Sequence, residues 1–226
     1  MSTFVLFTKN LNKNYHDPVE FQALKNINVS FNDSEFSAIV GESGSGKSTL
    51  LYVLSTLNTD YTGEIVFDGA HLEKPSKNKQ EEIRNEKIGF VFQFHYLLPD
   101  FTVLENVMLP ARKLAKHSEE EIEHAAIDKL NPLGLNDQAL KKANKLSEGQ
   151  QQRVAKARAL INNPKIIFDD DPTGNLDSKN SQNVCNILIE LKQNFGQSIL
   201  LVTHDMSIAQ RADRIIILHD GEVVKN

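Results

Sequence analysis

The sequence has a single cysteine, Cys185, in 226 residues. A lone thiol closes no internal disulfide, which excludes a disulfide-stapled scaffold and points to a reducing compartment. Cys185 falls among apolar residues and is read as a buried, inert thiol. Long apolar runs are missing as well. No stretch approaches the roughly 18 residues of a membrane span. The N-terminus, MSTFVLFTKNLNKNY, lacks the basic start and apolar run of a signal peptide. Work at a membrane would need an anchor supplied by something else. Excess positive charge is absent too: the net charge is -5 and the pI is near 5.8. That argues against nucleic acid as a partner, since such binders usually carry a basic face. There are no internal repeats and no low-complexity segments. What remains is ordinary globular composition, 40% hydrophobic and 24% charged. The length suits one large domain, or a domain with a small subdomain.

Strand-like and helix-like segments alternate along the chain. FVLFTKNLN (4–12), INVSF (27–31), FSAIV (36–40), GEIVFDG (63–69) and KIGFVFQ (87–93) have strand character, and glycines bracket the alternating run at 63–69. KSTLLYVLSTL (47–57) is expected to be helical. From about residue 94 to 160 the pattern is helical. Ser118 and Glu121 form a capping box, and Ile122, Ala126 and Leu130 follow at spacing four on one face. A strand at 165–169 comes next, then a helix over 178–195 with Val184, Ile187, Leu188, Leu191 and Phe195 on one face. Gly196 is its stop, and strands SILLVT and RIIIL follow. The charged runs KNKQEEIRNEK and HSEEEIEH are read as solvated faces. Alternating strands and helices predict a largely parallel sheet covered on both sides. The early glycine-bounded strands predict an added antiparallel piece. The expected division is a core with its β subdomain at about 1–93 and 161–226, and a helical insert at about 94–160.

GESGSGKST, residues 41–49, fits G-x-x-x-x-G-K-[ST], with an apolar strand before it and a helix after it. Gly41, Gly44 and Gly46 let consecutive N–H groups turn inward as an anion nest, with Glu42, Ser43, Ser45 and Thr49 completing the loop. The following helix terminus adds its partial positive charge. Lys47 is expected on the β- and γ-phosphates and Ser48 on Mg²⁺. The loop by itself predicts nucleoside triphosphate binding and says nothing of what the energy drives.

KLSEGQQQRVAKARAL, residues 145–160, resembles the signature of ATP-binding-cassette (ABC) ATPases, LSGGQ followed by QQRVAIARAL. Further positions match the family in its own order. Tyr15 falls where an aromatic stacks on the adenine. Gln93 falls at the Q-loop, Asp170 at the Walker B aspartate, GNLD (174–177) at the D-loop, and His204 in LVTHD at the switch histidine. The resemblance implies an α/β P-loop NTPase fold with a RecA-like parallel core, an antiparallel β subdomain and a helical insert. It implies ATP and Mg²⁺ as cofactors. Asp170 would hold Mg²⁺ with Ser48, and Gln93 would sense the metal and the attacking water beside the insert that meets a membrane partner. His204 would bond the γ-phosphate, and Asp177 would bridge two protomers. The other histidines are read as structural. The residues themselves add that Ser147 and Gln150 form a second S-x-x-Q capping box, hence a second helix N-terminus able to meet an anion. In the family Ser147, Gly149 and Gln150 would face ATP held by the other protomer of a head-to-tail homodimer.

The chain departs from the family twice. Asp171 stands where a glutamate usually precedes the Walker B proline and polarises the attacking water. Aspartate keeps the charge but loses about 1.5 Å of reach. General-base help is worth ~10²–10⁴ in rate, and a displacement of about 1 Å can cost ~10². The expectation is normal ATP binding with slower hydrolysis, unless the loop shifts to compensate. Glu148 replaces the first glycine of the signature, and its carboxylate is expected to point outward. Asp169 stands where the family has a small or apolar residue, and no catalytic role is assigned to it.

FQFHYLLPDFTVLENVMLP, residues 92–110, is similar to FQFHHLLPDFTALENV of the lipoprotein-releasing (LolD-like) ATPase group, whose relatives serve macrolide exporters and the cell-division machinery. PTGNLD fits the same group. The implied partner is an integral-membrane permease of the mechanotransmission (FtsX/MacB-like) kind, with the ATPase peripheral on the cytoplasmic face of the inner membrane and not inserted. The end of the chain at Asn226 leaves an expectation of no regulatory domain. Two other readings stand beside the transporter subunit. One is a non-transport ABC ATPase, which usually carries paired cassettes, coiled-coil or zinc insertions. The other is a slow regulatory cassette that controls an outer-face enzyme through its permease.

Overall fold

The structure is a computed structural model describing residues 4–17, 19–72, 77–92, 95–171, 186, 188–190, 192–193 and 196–225. Its first part is an antiparallel sheet. Strands β1 (Phe4–Tyr15), β2 (Phe21–Ile27), β3 (Ser30–Asn32), β5 (Thr62–Phe67) and β6 (Ala70–His71) run in the order β2-β1-β5-β6, with β3 also on β1. The segment 27–31, expected as one strand, is split between β2 and β3. Asn26 has φ 49°, and the Asn28 amide donates to its carbonyl at 2.8 Å, so the chain turns there.

The second sheet carries the site. β4 (Phe36–Val40) lies between β10 (Arg214–His219) and β9 (Ser198–Val202). Beyond β9 come β8 (Ile166–Asp170) and β7 (Ile88–Val91), all parallel. β11 (Glu222–Lys225) pairs antiparallel with β10 and was not foreseen in the sequence. β4, β8 and β9 are buried at every position, as strands of a sheet covered on both faces must be. One apolar cluster joins the two sheets through Leu6, Ile39, Leu50, Phe67, Phe168 and Leu218.

Helix α1 (Lys47–Leu54) stops three residues short of the expected 57. Thr56 has φ 61°, a left-handed conformation in which a β-branched residue ends the turn. α2 (Lys77–Lys87) occupies the run read as a solvated face. Among its described side chains Ile83 is the one hydrophobic packed on the core, so no apolar period announced a helix. α3 (Val103–Leu114), α4 (Glu119–Leu130) and α5 (Glu148–Leu160) share their own apolar cluster, with Val107, Ile122, Ala126, Leu130, Leu135 and Val154 in it. The capping boxes at Ser118/Glu121 and Ser147/Gln150 are both present, and a third stands at Thr102/Glu105. The helix expected over 178–195 lies largely outside the described residues, as do Cys185, Val184, Ile187, Leu191 and Phe195. Leu188 is helical and fully buried, and Gly196 at φ 61° donates its N–H to the Lys192 carbonyl at 2.9 Å.

Candidate functional site

In a parallel sheet all strands end at one edge, and groups that follow neighbouring strands meet there. β4 ends at Val40 and leads into the loop at 41–46. β8 ends at Asp170, with Asp171 next. β9 ends at Val202, with Thr203 and His204 next. β9 lies between the other two strands, in register Ile39↔Val202 and Asp170↔Val202. A cavity of about 660 Å³ opens at this edge, lined by Ser43, Gly44, Gly46, Lys47, Ser48, Thr49, Asp170, Asp171, Thr203 and His204, with Phe21 and Ala23 across from them.

The loop cannot carry ordinary side chains at its tight points. A Cβ on Gly46 would sit 2.6 Å from the Ala23 carbonyl oxygen, and φ there is 99°. A Cβ on Gly41 would sit 2.1 Å from the Leu218 oxygen. Gly46 is also the N-cap of α1 and supplies no side-chain hydrogen bond, so the first amides of the helix are left to the cavity. That is the donor set an anion takes. The Lys47 ammonium turns back onto the loop and donates to the carbonyls of Gly41 at 3.0 Å and Glu42 at 2.7 Å. Burial lowers its pKa, while the carboxylates of Asp171 and Asp170 act in the opposite sense. The Ser45 hydroxyl is buried with no hydrogen-bond partner among the described residues.

Asp170 accepts from the Ser48 hydroxyl on Oδ1 at 3.2 Å and from the Tyr52 hydroxyl on Oδ2 at 2.8 Å. Burial raises its pKa, and those two hydrogen bonds hold it down. Among the described residues no cluster of three His, Cys, Asp or Glu side chains could cage a metal. One carboxylate beside one hydroxyl, at a phosphate loop, instead suits Mg²⁺, which takes few protein oxygens and completes its shell with phosphates and water.

Asp171 has φ 44° and donates its N–H to the Val202 carbonyl at 2.9 Å. Aspartate tolerates the left-handed region better than most side chains. Its Oδ2 pairs with His204 Nδ1 at 2.9 Å, and the Thr203 hydroxyl lies 3.5 Å from Oδ1. Asp205 then caps a short helical turn, Met206–Ala209, by accepting from the Ser207 N–H at 2.8 Å, which fixes the chain just after His204.

Asp169 is fully buried on β8, and neither carboxylate oxygen has a hydrogen-bond donor among the described residues. Burial pushes its pKa up to about 7, opposed by the buried Lys156 ammonium of α5 and reinforced by Asp170 and Asp171.

Ser147, Gly149 and Gln150 do not line the cavity. They form the first turn of α5, where the Ser147 hydroxyl accepts from the Gln150 N–H at 3.4 Å and the Gln150 side chain accepts from the Ser147 N–H at 3.0 Å. Glu148 is exposed. Tyr15 stands at the end of β1 under a cation–π contact from Lys13, 4.7 Å from its centroid. The cavity wall is formed by its cross-strand partner Phe21 rather than by Tyr15. Gln93 and Asp177 lie outside the described residues. Sequence reasoning missed Tyr52 and Phe21. A tyrosine one turn after Ser48 could have signalled the first; nothing local signals the second.

A profile of the family described as "ABC transporter" matches residues 24–174. The structure is similar to the dimeric structure of MJ0796, described as a bacterial ABC transporter cassette. Identity is 42%, 97% of each chain is covered, and the TM-score is 0.87. The post-hydrolysis state of MJ0796, bound to ADP and Pi, matches with the same figures. cbiO1 from Clostridium perfringens, part of the ABC transporter complex cbiONQ, matches at 31% identity and TM-score 0.89, over 98% of this chain and 87% of that one. The chain belongs to the ABC transporter ATPase family, and its fold is that of the P-loop NTPase cassette.

Proposed function

We propose that this chain is the ATP-hydrolysing subunit of a transporter whose permease is of the lipoprotein-release or macrolide-exporter type. It would work as a homodimer, peripheral on the cytoplasmic face of the membrane. The observation that carries the catalytic part is the meeting of Lys47, Ser48, Asp170, Asp171 and His204 around one cavity at the ends of three parallel strands. The wording of residues 92–110 supports the permease type. Among the described residues no helix is long and apolar enough to cross a membrane, so a separate permease subunit fits.

The triphosphate lies along the loop amides, and Lys47 releases its two carbonyls to reach the β- and γ-phosphates. Ser48 and Asp170 would hold Mg²⁺, which when bound would supply neutralisation of the phosphate charge. Asp171 polarises the attacking water. Its bond to His204 Nδ1 sets the imidazole orientation, leaving the far nitrogen for the γ-phosphate. Gln93, at the junction with the helical insert of about 94–160, senses the site, and Asp177 bridges the protomers. Tyr15 or its neighbour Phe21 takes the adenine face. Ser147, Gly149 and Gln150 close over the partner's nucleotide. With Asp171 one methylene short, hydrolysis is slow relative to a glutamate cassette.

The test is purification of the tagged chain from membranes in mild detergent. Co-purification of a permease with few spans and a large outer domain, with ATPase activity lost in Lys47→Ala, is expected. A partner of another class, or none, contradicts the assignment.

A further inference from the structure

Asp170 is held by two hydroxyls, and the phosphate-loop pattern accounts for only one of them. Ser48 and Tyr52 are four residues apart on α1, so they share one face of the helix, one turn apart. Both reach across to β8 and occupy different oxygens of the same carboxylate, Ser48 at 3.2 Å on Oδ1 and Tyr52 at 2.8 Å on Oδ2. The shorter contact is the tyrosine's. A phenol is protonated at neutral pH, so the Tyr52 hydroxyl is the donor in this contact.

The phenol is itself held in place. Its ring lies 6.1 Å from Phe90 on β7. Phe90 is stacked 6.3 Å from Phe168, and Phe92 follows at 4.3 Å. Phe168 and Asp170 are two residues apart on β8 and so face the same side of the sheet. An aromatic wall therefore backs the ring whose hydroxyl meets the carboxylate.

We propose that Tyr52 is a positioning residue for the metal carboxylate: its hydroxyl pins Oδ2 of Asp170, so that Oδ1 is presented beside Ser48 to the magnesium ion that accompanies ATP. This rests on Ser48 and Asp170 being the metal residues, as given under Proposed function. A carboxylate free to rotate must be ordered each time the ion binds. One already fixed by a second donor is not, and losing such an outer partner typically costs ~10–100-fold in metal affinity. A tyrosine buried for packing alone would affect folding without changing the demand for metal.

The experiment titrates magnesium into the full chain with a fluorescent ATP analogue, alongside nucleotide binding in excess EDTA. Tyr52→Phe keeps the ring and removes the hydroxyl. The expected result is a magnesium midpoint raised ~10-fold, with binding in EDTA within about twofold of the native chain. Phe90→Leu keeps the hydroxyl but loosens its support, and shifts the midpoint the same way by less. Asp170→Asn is the control for the underlying reading. If Asp170→Asn raises the midpoint and Tyr52→Phe leaves it unchanged, the proposal for Tyr52 is wrong while the metal site stands. If Tyr52→Phe weakens binding equally in EDTA and in magnesium, its role is structural and the proposal is overturned. If Asp170→Asn leaves the midpoint unchanged, the metal-site reading fails and takes this inference with it.

Discussion

Two helix N-termini in this chain have the composition of anion sites, and they are finished differently. At α1 the cap is Gly46, which offers no side chain, and the first amides face a cavity with lysine, hydroxyl and carboxylates already around it. At α5 the cap is Ser147, whose box with Gln150 satisfies the first turn from within, on a surface away from that cavity. The difference separates a site that one chain builds by itself from a surface that has partners for its donors until another molecule replaces them. A side-chain cap stabilises a helix by about 1 kcal/mol. Glycine at the cap of α1 forgoes only a few tenths of a kcal/mol of that stability and keeps the donors available for phosphate.

The comparison breaks most directly at Lys47. Lys47→Ala is expected to weaken ATP binding by ~10–100-fold, the loss of a charged hydrogen bond worth about 1.5–3 kcal/mol, and to abolish turnover. Equilibrium nucleotide binding checks it. Next in size is Asp171→Glu. Single-turnover hydrolysis should rise ~10-fold as the missing reach is restored. The melting temperature should fall slightly, because φ 44° suits aspartate better than glutamate. No gain in rate would remove Asp171 as the cause of slow hydrolysis.

Ser147→Ala addresses the other helix end. It should lower stability by about 1 kcal/mol in denaturant titrations. Nucleotide binding to the isolated chain should stay unchanged, and steady-state turnover should fall. Weakened binding in the isolated chain would place the α5 terminus in the same site as α1.

The last prediction concerns Asp169 and is read in stability rather than in function. Its folded pKa is raised, so the native state keeps a proton that the unfolded state has lost across the window from about 3.8 to about 7. The native chain therefore loses stability relative to Asp169→Asn as pH rises through that window, and the difference levels off above it. Melting temperatures of both chains from pH 4 to 8 check the sign.

What the sequence made legible follows from how local each feature is. The loop at 41–49, the order of Asp170 and Asp171, and His204 after an apolar strand are short patterns whose geometry is set by the residues beside them. The capping boxes at Ser118 and Ser147 are of the same kind. Tyr52 on Asp170, Phe21 in the cavity wall and Lys156 opposite Asp169 depend on which strand lies beside which helix, and no spacing encodes that. α2 escaped because a mostly polar helix leaves no apolar period, and the turn between β2 and β3 because Asn26 and Asn28 interrupt an otherwise strand-like run.

In the proposed homodimer, ATP held at α1 is completed by the α5 terminus of a second copy. Light scattering on Asp171→Asn, which slows hydrolysis, tests it with and without ATP. The expected result is a mass near the 25.4 kDa protomer without nucleotide, doubling with ATP, and no doubling when Lys47→Ala is added. A particle that stays at 25.4 kDa with ATP bound, or doubles equally in the Lys47→Ala chain, contradicts it.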